Sequence, residues 1–109
     1  MEKIYFFYNR IIMEKKKPQL SGFTIYSKSG CPNCLKVKKL LNEKKKEYVV
    51  FNCDEELIED KEGFLEFIKT YTKRDYKMFP MVFSDGKFIG GYLETADYLD
   101  KIIDFNETF

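Results

Sequence analysis

Phe23-Thr24-Ile25-Tyr26-Ser27-Lys28-Ser29-Gly30-Cys31-Pro32-Asn33-Cys34-Leu35-Lys36-Val37-Lys38-Lys39-Leu40-Leu41 is the stretch that decides the fold. Its opening run, Phe23 to Ser27, is apolar and rich in β-formers, and reads as a buried strand. A helical pattern then runs from Cys31 to about Lys45, with Cys34, Val37 and Leu41 on one face and Leu40 beside it. Pro32 suits the first turn, where its missing N–H costs nothing. The two cysteines, separated by Pro32 and Asn33, sit where the strand gives way to the helix, and this is the signature of a redox pair. A thiol at a helix N-terminus lies beside unsatisfied N–H groups and the positive end of the helix dipole. Both favour thiolate over thiol. Cys34, one turn on, faces Cys31 and can close a disulfide onto it. The pair can therefore pass two electrons without a bound cofactor.

Outward from this junction the pattern stays regular. Tyr48-Val49-Val50-Phe51 is a second strand, and a helix is predicted from Ile58 to Thr72 with Phe64, Ile68 and Tyr71 on its inner face. Met81-Val82-Phe83 and Lys87-Phe88-Ile89 are short strands, and Asp85-Gly86 between them is a strong hairpin signal. After Gly90-Gly91 a last helix presents Ala96, Leu99 and Ile103 to the core. The order βαβαββα predicts an α/β domain, a four-stranded mixed sheet flanked by helices. Its first two strands should be parallel and its last two antiparallel. Residues 22–109 form this domain, and 1–21 read as an N-terminal extension that is aromatic, then basic, then closed by Pro18. Ile4 to Tyr8 in the extension is expected to pack on the domain as an extra edge strand or helix. Met13-Glu14-Lys15 repeats the opening Met1-Glu2-Lys3, so Met1 and Met13 are both candidate starts.

Composition excludes several classes. A chain of 109 residues suits one domain. A formal charge of +1 argues against nucleic-acid binding by bulk electrostatics. Lys15-Lys16-Lys17 and Lys44-Lys45-Lys46 then read as solvated faces and helix C-termini. Histidine is absent, which removes Cys–His and Ser–His catalysis. Cys31, Cys34 and Cys53 are too few for a structural zinc site or a secreted disulfide framework, so no metal is expected. No run is long enough for a membrane span, and no small-residue cleavage site follows the apolar start. The expectation is a cytoplasmic monomer that engages neither membrane nor nucleic acid. Cys53, at the end of the second strand, reads as a small hydrophobe rather than a regulatory thiol.

Three motifs, in order, resemble the glutaredoxin family of the thioredoxin fold over about residues 22–105. Cys31-Pro32-Asn33-Cys34 looks like the dithiol motif, with Asn33 where Tyr is usual. Met78-Phe79-Pro80 stands where the family has Thr-Val-Pro with a cis proline, and Gly90-Gly91-Tyr92 looks like the Gly-Gly element before the last helix. The resemblance implies a thioredoxin-like fold and glutathione-dependent thiol–disulfide exchange, with glutathione as co-substrate. The implied partners are disulfide-containing or glutathionylated proteins. Cys31 becomes the nucleophile, expected to be partly exposed, and Cys34 the resolving thiol. The implied glutathione site comprises Lys28, Asn33, Lys77, the backbone of Phe79 before Pro80, and the helix opening at Gly91, Tyr92 and Leu93. Leu93 and Glu94 depart from the family's small polar residue and Asp. Two alternatives remain: a dimer holding a [2Fe–2S] cluster on Cys31 and glutathione, and a redox protein that docks partners through its N-terminal extension.

Overall fold

The computed structural model describes residues 16–107, with side chains as far as Ile102. The expectations for Ile4 to Tyr8, for the start at Met1 or Met13, and for the Ile103 side chain lie outside the described residues. The elements in chain order are β1 (Phe23–Ser27), α1 (Pro32–Glu43), β2 (Tyr48–Asn52), α2 (Asp54–Glu59), α3 (Lys61–Thr72), β3 (Met81–Ser84), β4 (Lys87–Gly90) and α4 (Tyr92–Glu107). The sheet runs β2-β1-β3-β4. β1 pairs parallel with β2 and antiparallel with β3, and β3 pairs antiparallel with β4. This is the four-stranded mixed sheet that the sequence predicts. No helix among the described residues is long and apolar enough to cross a membrane.

All five residues of β1 are buried because helices cover both faces of the sheet. Phe23, Ile25 and Val82 pack with Val37 and Leu41 of α1 and Leu99 of α4. Tyr26, Met81 and Phe83 face the other way, onto Phe64 and Ile68 of α3 and onto Cys53. Each such side chain contributes about 1.5–3 kcal/mol when buried. The β3–β4 hairpin turns through Asp85 and Gly86, whose φ values of 49° and 84° are both positive, as a type I′ turn demands. The Asp85 carboxylate also accepts the Gly22 N–H at 2.7 Å, which ties the hairpin to the start of β1.

The segment before α3 differs from expectation. The helix predicted from Ile58 is two helices, broken at Asp60, where φ is −154° and ψ 69°. The Asp60 carboxylate accepts the Gly63 N–H at 3.1 Å and so starts α3 afresh. α2 begins with Asp54, Glu55 and Glu56, acids at the end of the helix dipole that favours them. Apolar periodicity gives no sign of α2, because its buried residue is Glu56 and its Ile58 is 84% exposed. On α3, Phe64 and Ile68 are buried as expected and Tyr71 packs half-buried against their cluster, with Thr72 buried beside it; on α4, Leu99 is buried as expected, and Thr95 is buried where Ala96 is only half so. The Thr95 hydroxyl donates to the Gly91 carbonyl at 2.8 Å, so this buried polar group is satisfied.

Residues 16–21, read as part of the extension, lie against the domain. The Tyr26 hydroxyl donates to the Lys16 carbonyl. The Lys16 ammonium pairs with the Glu56 carboxylate and donates to the Asn52 carbonyl at 3.0 Å. Glu56 is 6% exposed, and its second oxygen has no hydrogen-bond partner among the described residues. Lys16 is therefore the counter-charge of a buried acid. Lys16→Met should destabilise the fold by about 2–3 kcal/mol in a urea titration, because it strands that carboxylate. Adding Glu56→Met should recover most of the loss.

Candidate active site

β1 ends at Ser27 and the chain reaches α1 through Lys28, Ser29 and Gly30. Cys31 precedes the helix in an extended conformation, φ −113° and ψ 100°, and caps it. Its sulfur accepts the Cys34 N–H at 3.2 Å. Cys31 and Cys34 are joined as a disulfide, with Cα atoms 5.3 Å apart. Pro32 occupies the first turn, and no acidic side chain lies there to compete with an anionic sulfur. Cys34 is 1% exposed and Cys31 8%. Cys31 is thus less open than expected. It remains the more accessible of the two.

A brace that sequence reading missed holds the loop before Cys31. The Asp54 carboxylate accepts both the N–H (2.9 Å) and the hydroxyl of Ser29. These bonds, the side-chain one foremost, hold the Asp54 carboxyl below the usual carboxylate range, and Lys28 adds to the effect. The available signal was an acid two residues after the second strand, placed to start a helix. Lys28 is exposed, and its ammonium stands 5.5 Å from the centroid of the Phe79 ring. That ring in turn stacks on Phe64, at 6.3 Å and an interplanar angle of 11°. An open groove of about 400 Å³ carries Cys31 and Cys34, with Lys28, Pro32, Leu35 and Lys38 in its lining.

The strand register puts the turns at Pro80 and Gly90 at the same end of the sheet as the Cys31 loop, but the groove at Cys31 is lined by none of Asn33, Lys77, Phe79, Pro80, Gly91, Tyr92 or Leu93. The Phe79–Pro80 bond is cis. Tyr26 pairs with Met81, so Pro80 falls opposite Ser27, the last residue before the Cys31 loop. A Cβ built on Gly91 would stand 3.6 Å from the Pro80 carbonyl and 3.0 Å from the Tyr76 hydroxyl. Gly90, at φ 137°, holds a conformation that side chains rarely adopt. The Tyr92 ring lies under the Lys36 ammonium, at 5.9 Å, and links α4 to α1. Leu93 is 73% exposed. The Glu94 carboxylate accepts the Gly91 N–H at 3.0 Å, so an internal acid already occupies one amide at the opening of α4. Asn33 is exposed on the first turn of α1. Lys77 is exposed and has Asp75 at 3.8 Å, a neighbouring acid that the sequence reading did not pair with it.

Cys53 has the opposite environment from Cys31. It is fully buried between β1 and α3, and burial pushes its thiol up to about 12, with Glu56 adding and Lys16 opposing. No group of three or more His, Cys, Asp or Glu among the described residues is placed to hold a metal ion.

Residues 23–89 match the family model described as Glutaredoxin. Glutaredoxin 1 of Rickettsia conorii is 32% identical over 93 residues, covering 81% of this chain and 86% of that protein. The crystal structure of the holo form of glutaredoxin C1 from Populus tremula x tremuloides superposes with a TM-score of 0.63 at 27% identity, over 82% of this chain and 86% of that one. A buckwheat glutaredoxin–glutathione complex superposes with a TM-score of 0.65, over 84% of this chain and 82% of that one. At 23% identity that last likeness bears on the fold alone.

The two thiol environments should separate in one experiment. In the reduced, folded protein, iodoacetamide at pH 8 should label Cys31 and leave Cys53 unmodified. The rate–pH profile of Cys31 should have its midpoint below the free-thiol value of about 8.5. The raised Cys53 value also has a stability consequence of definite sign. Its contribution is whole below the free-thiol value and is lost as pH rises toward about 12. Cys53→Ala should flatten that part of a stability–pH curve.

Proposed function

The chain belongs to the glutaredoxin family and is a thiol–disulfide oxidoreductase; from that premise we propose that glutathione is its electron donor and Cys31-Pro32-Asn33-Cys34 its reactive motif. The observation that carries the reading is the Cys31 sulfur at the α1 N-terminus, accepting the Cys34 N–H with no acid in the first turn. In the reduced enzyme that bond and the helix dipole stabilise the thiolate.

The Cys31 thiolate attacks a sulfur of a substrate disulfide. A bond forms from Cys31 to that sulfur as the substrate S–S bond breaks, and the departing thiolate takes a proton from solvent. With a protein disulfide, Cys34 then loses its proton and attacks Cys31. The Cys31–Cys34 bond forms and the second substrate thiol leaves, so the substrate gains two electrons and two protons. One glutathione opens the enzyme disulfide onto Cys31. A second attacks the sulfur of the bound glutathione, frees Cys31 and departs as glutathione disulfide. With a glutathionylated protein, Cys31 takes the glutathione directly and only that last step follows, so Cys34 is bypassed. A reducing cytoplasm, where glutathione is supplied in reduced form, is the setting this cycle needs.

Glutathione has a carboxylate at each end and a peptide-like middle. In this reading Lys28 serves one end, with Lys77 more weakly because Asp75 stands beside it. The Phe79 backbone, set by cis-Pro80, pairs with the middle. The free N–H groups at the start of α4, those of Tyr92 and Leu93 following Gly91, take the other carboxylate. Leu93 supplies no hydroxyl there, and Asn33 leaves the groove without the usual aromatic wall.

Two measurements test the proposal. In an assay coupling a glutathione mixed disulfide to glutathione reductase, Cys31→Ser should abolish turnover. Cys34→Ser should keep it while losing reduction of protein disulfides. Loss of both activities in Cys34→Ser would overturn the assignment of roles, and no turnover by the unaltered protein would overturn glutathione as donor. Second, Glu94→Gln keeps an acceptor for the Gly91 N–H but removes a negative charge where a glutathione carboxylate arrives. The KM for glutathione should fall about two- to fivefold.

A further inference from the structure

We propose that the Cys31 end of α1 is a docking surface for acidic protein substrates, in which the disulfide or glutathionylated cysteine is flanked by Asp or Glu. The inference deepens the proposed function by naming a substrate class, and for glutathionylated substrates it rests on that reading.

The chain is nearly neutral, with a formal charge of +1, but its charge is segregated. From Cys31 to Lys46 the basic residues are Lys36, Lys38, Lys39 and the Lys44–Lys46 run, against Glu43 alone. α2 carries Asp54, Glu55, Glu56 and Glu59 without a single lysine or arginine, and of these Asp54 stands beside the Cys31 loop, bonded to Ser29. Cys31 therefore sits at the head of a basic helix in a protein of almost no net charge.

How these charges are held matters as much as where they are. Lys39 reaches Glu43 at 4.0 Å. Among the described residues, Lys28, Lys36 and Lys38 have no carboxylate within salt-bridge distance. Lys28 and Lys36 are placed instead against the Phe79 and Tyr92 rings. A ring holds an ammonium near its face but does not neutralise it. The nearby carboxylates are turned onto the chain's own backbone: Asp54 accepts from Ser29 and Glu94 from Gly91. The site thus presents these cations unpaired among the described residues, while its two nearby carboxylates, though not buried, are each engaged in a hydrogen bond to the chain. Leu35, 67% exposed, lines the groove beside Cys31 and Lys38 and offers an apolar contact among the lysines. An acidic chain entering the groove would meet Lys28 and Lys38, which line it together with Cys31, and Lys36 on the neighbouring face of α1 beside Tyr92; where glutathione already holds Lys28, Lys38 and Lys36 are left to the peptide. A substrate cysteine within a protein brings flanking chain past Cys31, and that flanking segment is the occupant proposed for this surface.

The test compares short peptides with one cysteine flanked on both sides by Glu, Gln or Lys. Each is prepared as a glutathione mixed disulfide and, with a second cysteine, as an intrapeptide disulfide, and kcat/KM is measured with the unaltered protein. At low ionic strength the Glu-flanked peptide should exceed the Lys-flanked one about tenfold. At about 0.5 M salt the gap should close to about twofold, because screening shortens the reach of exposed charges. The double variant Lys36→Glu/Lys38→Glu should abolish or reverse the preference. Equal rates for the three peptides, a preference for Lys, or a preference indifferent to salt would overturn the inference. Turnover of the intrapeptide disulfides alone, with the Glu preference, would sustain the docking surface while removing glutathione mixed disulfides as substrates. Turnover of both forms without preference would do the reverse, and turnover of neither would overturn both.

Discussion

The contact between the Cys31 sulfur and the Cys34 N–H, at the first turn of α1, governs the arrangement of this end of the molecule. A sulfur that is to become an anion, as the proposed function asks of Cys31, needs stabilisation close to it. Orphan N–H groups at a helix start provide it. The rest of the structure fixes where that helix starts. β1, buried on both faces, sets the end of the strand, and Asp54 pins Ser29 so that the connecting loop cannot wander. Pro32 then opens the helix without wasting a donor.

The same three-cysteine chain holds its thiols in two different electrostatic settings. Cys31 lies at a helix N-terminus that carries no acid in its first turn. Cys53 lies in an apolar cluster next to the Lys16–Glu56 pair, where forming a thiolate would mean burying a charge. The electrostatic setting of each thiol therefore follows its position and not its residue type. Glu56 and Lys16 show the cost of a buried acid and how it is met. The carboxylate under α2 is tolerated because the segment before β1 brings an ammonium to it. A stretch that looks like a tail in the sequence is, from Lys16 onward, part of the packing of the domain.

Much of this was legible in advance. The strands, α1, the hairpin at Asp85-Gly86 and the redox pair all announce themselves in local patterns: apolar runs, a period of about three and a half, a turn dipeptide and a cysteine spacing. α2 was not legible, because it buries Glu56 and exposes Ile58, so its hydrophobic pattern points the wrong way. The break at Asp60 was equally hidden, since a capping aspartate in mid-pattern looks like any exposed acid until its bond to Gly63 is seen. The Asp75 beside Lys77 and the Glu94 turned onto Gly91 are likewise facts of side-chain direction.

The sequence by itself determined which groups could react and which elements would carry them. Thiol chemistry, helix starts and strand periodicity depend on residues close together in the chain. Only the tertiary structure decided which partner each charge meets. Lys28 meets Phe79, Lys36 meets Tyr92 and Lys16 meets Glu56 across separations that no local pattern encodes. The physical reason is that an ion or a ring acts over a few ångströms of space, and the chain brings distant residues within that range only when the sheet and its two helical layers have closed.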